Sequence, residues 1–300
     1  MLKAKHGFSF VVAAISVLLL VACGDDDSDF ATRPSEGSSS SSVTPQSSSS
    51  EKAESSSNKV TDKVTEPVEP AEVTTGTMTD SRDGQTYKTV TIGTQTWMAQ
   101  NLNYAYTDVP YKHRNNTSDS TSWCYKDSAS YCTKYGRLYT WAAAMDSVGT
   151  WSTNGKGCGY NKTCSPTYPV RGVCPEGWHL PTMEEFKTLF TAVGFETLFT
   201  AVGGQSTAGY VLKSTSGWYA GYNGSDAFAF SALPAGDRCD FGYFTTEGLN
   251  AFFWSSSEYS SYKAYDMYLY YYNVVSAYLY NDRDKSNGFS VRCLKNAQAE

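Results

Sequence analysis

Histidine is scarce in this chain, with three in 300 residues, at His6, His113 and His179. No Cys-x-x-Cys pair occurs among the eight cysteines, so the thiolate and imidazole sets that build structural zinc sites are missing. Gly-x-Ser-x-Gly is absent, and no Gly-rich loop leads into Lys-Ser or Lys-Thr. That removes the nucleophile elbow and the phosphate cradle. Nucleophilic catalysis needs a Ser or Cys beside an oriented His. Beyond the first residues only His113, in a polar loop, and His179, in a Trp-His-Leu-Pro turn, are on offer, and His179 reads as a structural residue. Positive charge is also in deficit: 24 Lys and Arg stand against 30 Asp and Glu, a formal net charge of −6. That balance argues against a nucleic-acid partner. Nothing in the chain asks for a cofactor or a metal.

One long apolar run exists, at the start. Lys3, Lys5 and His6 precede Phe8 to Val21, and Leu20-Val21-Ala22-Cys23 closes the run. The run is short for a bilayer span and suits the core of a signal peptide. Its ending resembles the lipobox of bacterial lipoproteins. The resemblance implies cleavage of residues 1–22 and a diacylglycerol on the thiol of Cys23. The chain is then anchored to a membrane through that lipid, with no second run to cross one. Gly24-Asp25-Asp26-Asp27-Ser28-Asp29 follows and resembles the acidic export tract of some surface lipoproteins. The expected address is the outer membrane, on its exposed side.

Residues 35–57 hold 13 Ser in 23 positions and no aromatic residue. Too little apolar surface is present to offset the entropy of ordering, so residues 23–75 read as a disordered, Ser-rich tether. About 50 flexible residues span roughly 40 Å. From 76 to 297 aromatic residues run throughout and low complexity stops, which marks one domain of about 220 residues.

Seven cysteines lie in that domain: Cys124, Cys132, Cys158, Cys164, Cys174, Cys239 and Cys293. In an exported protein these point to disulfides. Cys124 with Cys132 and Cys158 with Cys164 are the cheapest closures in loop entropy. Cys174 with Cys293 would staple the middle of the domain to its last strand and leave Cys239 over. Spacing alone does not fix the pairing.

Thr86 to Ile92 reads as a strand, turned at Gly93-Thr94 into Gln95 to Ala99 with Trp97 on the buried side. Asp80 and Asp83 before it belong to a turn, since the later ligands of a calcium loop are missing. Thr140 caps a short helix from Trp141 to Ser147. Thr182-Met183-Glu184-Glu185 is a capping box, followed by Phe186, Leu189, Phe190 and Val193 on one helical face. The nine residues Phe186–Gly194 then recur as Phe195–Gly203 with a single change. At about 100° per residue, nine residues turn a straight helix by roughly 900°, which points the second apolar stripe away from the first. A break near Gly194 is expected, with one copy docked in the core and the other packed less well. Alternating Tyr265 to Tyr272, then Ala277 to Asn281, then Gly288 to Leu294 read as strands. Few helices with several antiparallel strands predict an α+β domain.

An ordered series of motifs runs through this domain: DSRDGQTYKTVTIGTQTWMAQNLNY at 80–104, YGRLYTWAAAM at 135–145, CPEGWHLPT at 174–182, DAFAFSALPAG at 226–236, FWSSSE at 253–258 and NGFSVRC at 287–293. The series resembles the Fibrobacter succinogenes major paralogous domain, found in exported and lipid-anchored proteins. That family in turn resembles the C-type-lectin-like fold with its formylglycine-generating branch. The nine-residue duplication departs from the single helix the family pattern implies.

The resemblance brings no active site with it. Formylglycine-generating chemistry uses paired reactive cysteines late in the domain, and here only Cys239 and Cys293 are late. The Glu-Pro-Asn, Gln-Pro-Asp and Trp-Asn-Asp triplets of calcium-dependent lectins are absent. Carboxylates able to serve a glycosidase exist at Asp226, Asp237, Asp240, Glu247 and Glu258, by residue type alone. Nine Tyr lie between Tyr259 and Tyr280. Alternate residues of a strand share a face, so Tyr268, Tyr270 and Tyr272 form a candidate ligand platform for flat sugar faces. The expected function is non-enzymatic binding or adhesion at the cell surface, to polysaccharide or to envelope partners. The alternatives are a structural envelope protein without a ligand and a polysaccharide hydrolase.

Overall fold

The computed structural model describes residues 73–297 except 107–110, 114–115, 119–120, 195–197, 201–202, 207 and 274–275, and gives the backbone path alone for 111–113, 116–118, 198–200 and 203–206. The signal segment, Cys23 and the tether to residue 72 lie outside the described residues.

The first strand, β1 (Thr74–Thr79), opens two residues inside the stretch read as tether and pairs with β2 (Thr86–Ile92), which turns into β3 (Gln95–Met98). Asp80 closes the first turn by accepting from the backbone N–H of Arg82 at 3.0 Å, and its carboxylate also pairs with the Arg82 guanidinium. Val90, Ile92 and Trp97 are fully buried, so the hairpin carries an apolar inner face. A small hairpin, β4 (Tyr111–His113) with β5 (Asn116–Ser118), places His113 in a strand. Its side chain lies outside the description.

Next come β6 (Ser122–Trp123), α1 (Ala129–Tyr135), β7 (Leu138–Tyr139) and α2 (Trp141–Ala144). Thr140 caps α2 through its hydroxyl, which accepts from Ala143 N, and the helix is three residues shorter than its sequence suggests. After β8 (Trp178–His179) the capping box forms as read: the Thr182 side chain accepts from Glu185 N, and the Glu185 side chain accepts from Thr182 N. Helix α3 (Met183–Ala192) buries Phe186, Leu189 and Phe190. Phe186 stacks on Trp97 at 5.3 Å, joining helix to first sheet.

The chain leaves α3 at Gly194, whose φ of +87° favours glycine. The second copy of the duplication does not continue the helix: Leu198–Thr200 is β9, an edge strand, and its last residue opens β10 (Gly203–Ser206). Then follow α4 (Gly209–Leu212), the short pair β11 (Asp237–Arg238) and β12 (Phe244–Thr245), and the long strands β13 (Asn250–Glu258), β14 (Lys263–Tyr270) and β15 (Ala277–Asp284). Gly236, before β11, has φ +67°, and a Cβ there would sit 2.3 Å from Thr245 O. The last strand, β16 (Leu294–Lys295), is shorter than the sequence suggests, because residues 288–290 make only isolated bridges to Arg238, Tyr139 and Phe253.

Two five-stranded antiparallel sheets result, in the orders β1-β2-β3-β16-β8 and β13-β14-β15-β10-β9. With helices set against them the domain is α+β. One face of the second sheet, with Ala251, Phe253, Met267, Leu269, Ala277 and Leu279, packs on α3 and the first hairpin. The other face, with Phe252 and Trp254, packs on Trp141, Phe289 and Val291 in a separate core. The sheet thus divides two apolar cores.

Three disulfides join Cys124 to Cys132, Cys158 to Cys164, and Cys174 to Cys293. The third ties the segment before β8 to the segment before β16 across 119 residues. Cys239 stands outside these three and is buried.

Candidate functional site

Four of the sequence motifs meet at one buried cation. Arg292 donates through Nε to Asn101 Oδ1 at 2.8 Å, through Nη2 to Ser231 O at 2.8 Å, and through Nη1 to Phe230 O. Asn101 in turn donates to Tyr135 O and to Ser290 Oγ. Burial pulls the Arg292 guanidinium down to about 9. These motif residues therefore hold the segments to one another.

A second buried cation does the same for the disulfide loop. Lys285 Nζ donates to Gly159 O at 3.3 Å, Lys162 O at 3.0 Å, Ser261 O at 3.1 Å and the Glu258 carboxylate, over the Trp141 ring. Glu258, a candidate glycosidase carboxylate by residue type, is engaged in this cage. Asp226 accepts from Ser231 N and Oγ, Asp237 from the Thr245 and Thr246 hydroxyls, and Glu247 from the Tyr135 hydroxyl. Each of these four carboxylates has its own partners.

A polar cleft of about 360 Å³ opens beside β3, β8 and β16, lined by residues 94–96, His179, Glu185 and 294–297. His179 Nε2 lies 2.9 Å from Glu185 Oε1 and Nδ1 lies 2.7 Å from Asn296 Oδ1. Burial works against the Glu185 charge, yet the hydrogen bonds from His179 and Thr182 hold its carboxyl below the usual range. Both ring nitrogens of His179 are occupied and, among the described residues, no Ser or Cys lines the cleft; the arrangement orients the Leu-Pro-Thr turn. Among the described residues no three His, Cys, Asp or Glu come together as metal ligands.

The tyrosine platform needs correction. Tyr268 is not an open ring: it stacks on Phe252 at 4.8 Å, and burial pushes its hydroxyl well above the ordinary value. Strand β14 ends at Tyr270, so Tyr272 no longer follows the alternation that would align it with the other two. Where the strand ends, Lys213 Nζ, buried over the Trp218 ring, donates to Tyr270 O at 2.6 Å. Burial without a carboxylate lowers this ammonium to about 8.

What replaces the row is a strip of rings in contact. Tyr268 meets Tyr270 at 6.1 Å and Tyr278 at 5.7 Å; Tyr270 meets Tyr271 at 4.9 Å; Tyr271 meets Tyr219 and Tyr222 at 5.7 Å each; Tyr222 meets Tyr272 at 6.1 Å. Tyr272 is 68% exposed and Tyr219 61%. At the far end Tyr280, directly opposite Asp266, is 39% exposed. The guanidinium of Arg283 is framed there by Tyr280, Phe252 and Tyr268 at 4.5, 5.1 and 5.2 Å. Sequence reasoning missed Tyr219, Tyr222, Tyr271 and Arg283. The Trp218-Tyr219-Ala220-Gly221-Tyr222 stretch, aromatic within a Gly-rich loop, was the available signal.

The fold and its surface define a disulfide-stapled α+β domain whose buried charges are structural and whose open chemistry is aromatic. The chain belongs to the Fibrobacter succinogenes major domain family: that family's profile matches residues 90–295, which leaves β1 and the start of β2 ahead of the match. No curated protein and no solved structure matches the chain.

Proposed function

We propose that this chain is a lipid-anchored outer-membrane protein that binds polysaccharide through the tyrosine strip, without catalysing its turnover. The observation that carries the reading is the run of contacting rings ending in Tyr219 and Tyr272, exposed at 61% and 68%. Tyrosine rings offer flat apolar faces with a polar tip, the chemistry that suits sugar faces in water. Four of the five carboxylates named for a hydrolase, Asp226, Asp237, Glu247 and Glu258, are engaged in separate local networks, which favours binding over hydrolysis. A C-type-lectin-like arrangement is the finer fold reading. It is supported by the motif series, the helix after the Leu-Pro-Thr turn, and the last strand paired beside β3 in the first sheet. The lipobox at Cys23 and the acidic tract after it support surface display.

The test is a pull-down of the purified chain on insoluble cellulose, xylan and pectin, with Tyr219→Ala/Tyr272→Ala beside it. Retention on at least one polysaccharide, reduced about tenfold in the double variant, is expected. No retention on any of them, or retention unchanged in the variant, overturns the reading, and release of soluble sugar overturns its non-enzymatic part.

A further inference from the structure

We propose that Arg283 makes one end of the tyrosine strip a receptor for a carboxylate-bearing sugar, so that the polysaccharide bound is an acidic one built on uronate units. The proposal rests on the strip being a sugar-binding face and names the class of sugar that fits it.

Three observations place a carboxylate at this point. First, Arg283 lies where the strip reaches the edge of its cover: its side chain keeps 17% of its surface, whereas Asp266 beneath it keeps none. Second, the two are loosely matched. Arg283 Nε stands 3.5 Å from Asp266 Oδ1, and neither Asp266 oxygen nor Arg283 Nε makes a hydrogen bond among the described residues. A fork-to-fork pair closes to about 2.7–2.9 Å, so Asp266 does not take up the directional donors of the guanidinium. Nε, itself buried, faces Asp266, and the exposed part of the guanidinium is left to an incoming group. Third, the rings of Tyr280, Tyr268 and Phe252 surround the guanidinium at 4.5–5.2 Å. Aromatic neighbours hold a guanidinium in place from its faces. The 17% of the side chain that stays exposed is where in-plane hydrogen bonding can take place.

The charge and shape of that site select its ligand. One planar guanidinium complements one planar carboxylate through two parallel hydrogen bonds. A tetrahedral dianion is better met by several cations, and Lys263, on the strand paired with that of Arg283, is already paired with Asp282 at 3.3 Å. A uronate carries its carboxylate on the sugar ring itself. The acid can reach Arg283 while the ring lies on the exposed Tyr280 beside it.

The experiment is titration calorimetry of the full chain with oligogalacturonate, its fully methyl-esterified form, cello-oligosaccharide and a sulfated glycan of equal length. Oligogalacturonate is expected to bind at least tenfold tighter than the ester. Arg283→Gln is expected to abolish that difference, and Arg283→Lys to keep part of it. Equal binding of acid and ester, an acid preference that survives in Arg283→Gln, or a preference for the sulfated glycan overturns the carboxylate assignment and leaves the aromatic face standing. Failure of all four ligands overturns both. Should Arg283→Gln not fold, the acid-to-ester ratio of the unaltered chain still decides.

Discussion

Arg292 Nε donates to Asn101 Oδ1 at 2.8 Å, across 191 residues of chain, with both side chains buried. The contact joins the last motif to the first. Removing the acceptor leaves a buried cationic donor without its partner, which is more costly than deleting a neutral pair. Asn101→Ala is therefore expected to destabilise the domain by about 3 kcal/mol. Urea denaturation checks it; a change under about 0.5 kcal/mol, the size of an ordinary surface substitution, would show that the hub is dispensable.

Lys285 is the second such hub. Lys285→Met strands the Glu258 carboxylate and three carbonyls, and a loss of roughly 3–5 kcal/mol is expected from breaking a buried pair. Adding Glu258→Gln to it should return part of that loss. A double variant no more stable than the single one would mean that the carbonyl contacts, and not the ion pair, hold the loop.

The three disulfides should differ in weight. By loop entropy the bond across 119 residues, Cys174–Cys293, contributes about 5 kcal/mol, while Cys124–Cys132, across 8, contributes about 2.5 kcal/mol. Cys174→Ala/Cys293→Ala should lower the thermal midpoint by more than Cys124→Ala/Cys132→Ala does. The reverse order in calorimetry would refute the ranking.

Stability should fall as pH rises through neutrality. Burial pushes the Asp266 carboxyl up to about 7, against a smaller opposing pull from Arg283, and burial pushes Asp237 up to about 6 against its threonine partners. Between about pH 4, where unfolded carboxyls titrate, and these values the folded chain holds protons that the unfolded chain has released. Their stabilising effect is whole below that window and is lost as pH climbs through 6 and 7. Asp266→Asn should therefore raise the melting temperature at pH 8, by about 2–4 °C for each kcal/mol recovered, and change it little at pH 4. A larger gain at pH 4 than at pH 8 would reverse the sign and sink the assignment.

Local features were legible in the chain; distant meetings were not. Thr182 and Glu185 lie three residues apart, so their reciprocal cap follows from sequence. The break at Gly194 follows from rotation of the helical stripe. The tyrosines misled because alternation reports which residues share a face but not what covers it. In this fold both faces of β13–β15 are in use, and Phe252, directly opposite on β13, stacks against Tyr268. Arg283, Asp266 and Lys285 gave no signal at all, since each acquires its role only when β14, β15 and the disulfide loop come together.

The duplicated segment offers a last test. Its second copy supplies β9, which pairs with β10 alone at the outer edge of the second sheet, so deleting Phe195–Gly203 should leave a folded domain with unchanged near-ultraviolet dichroism. The deletion exposes the hydrogen-bonding edge of β10 and should raise the tendency to aggregate. Loss of the folded signal would place the second copy in the folding nucleus.

In register, Gly203 faces Tyr280 and Gln205 faces Tyr278. The repeated nonamer, through β9 and Gly203, has thus been taken up as extra width at the outer edge of this sheet, because an open ladder accepts newcomers that a closed core would reject. Kin with fewer or more copies of the nonamer should differ in how broad a grip they present, and scarcely at all in how they fold.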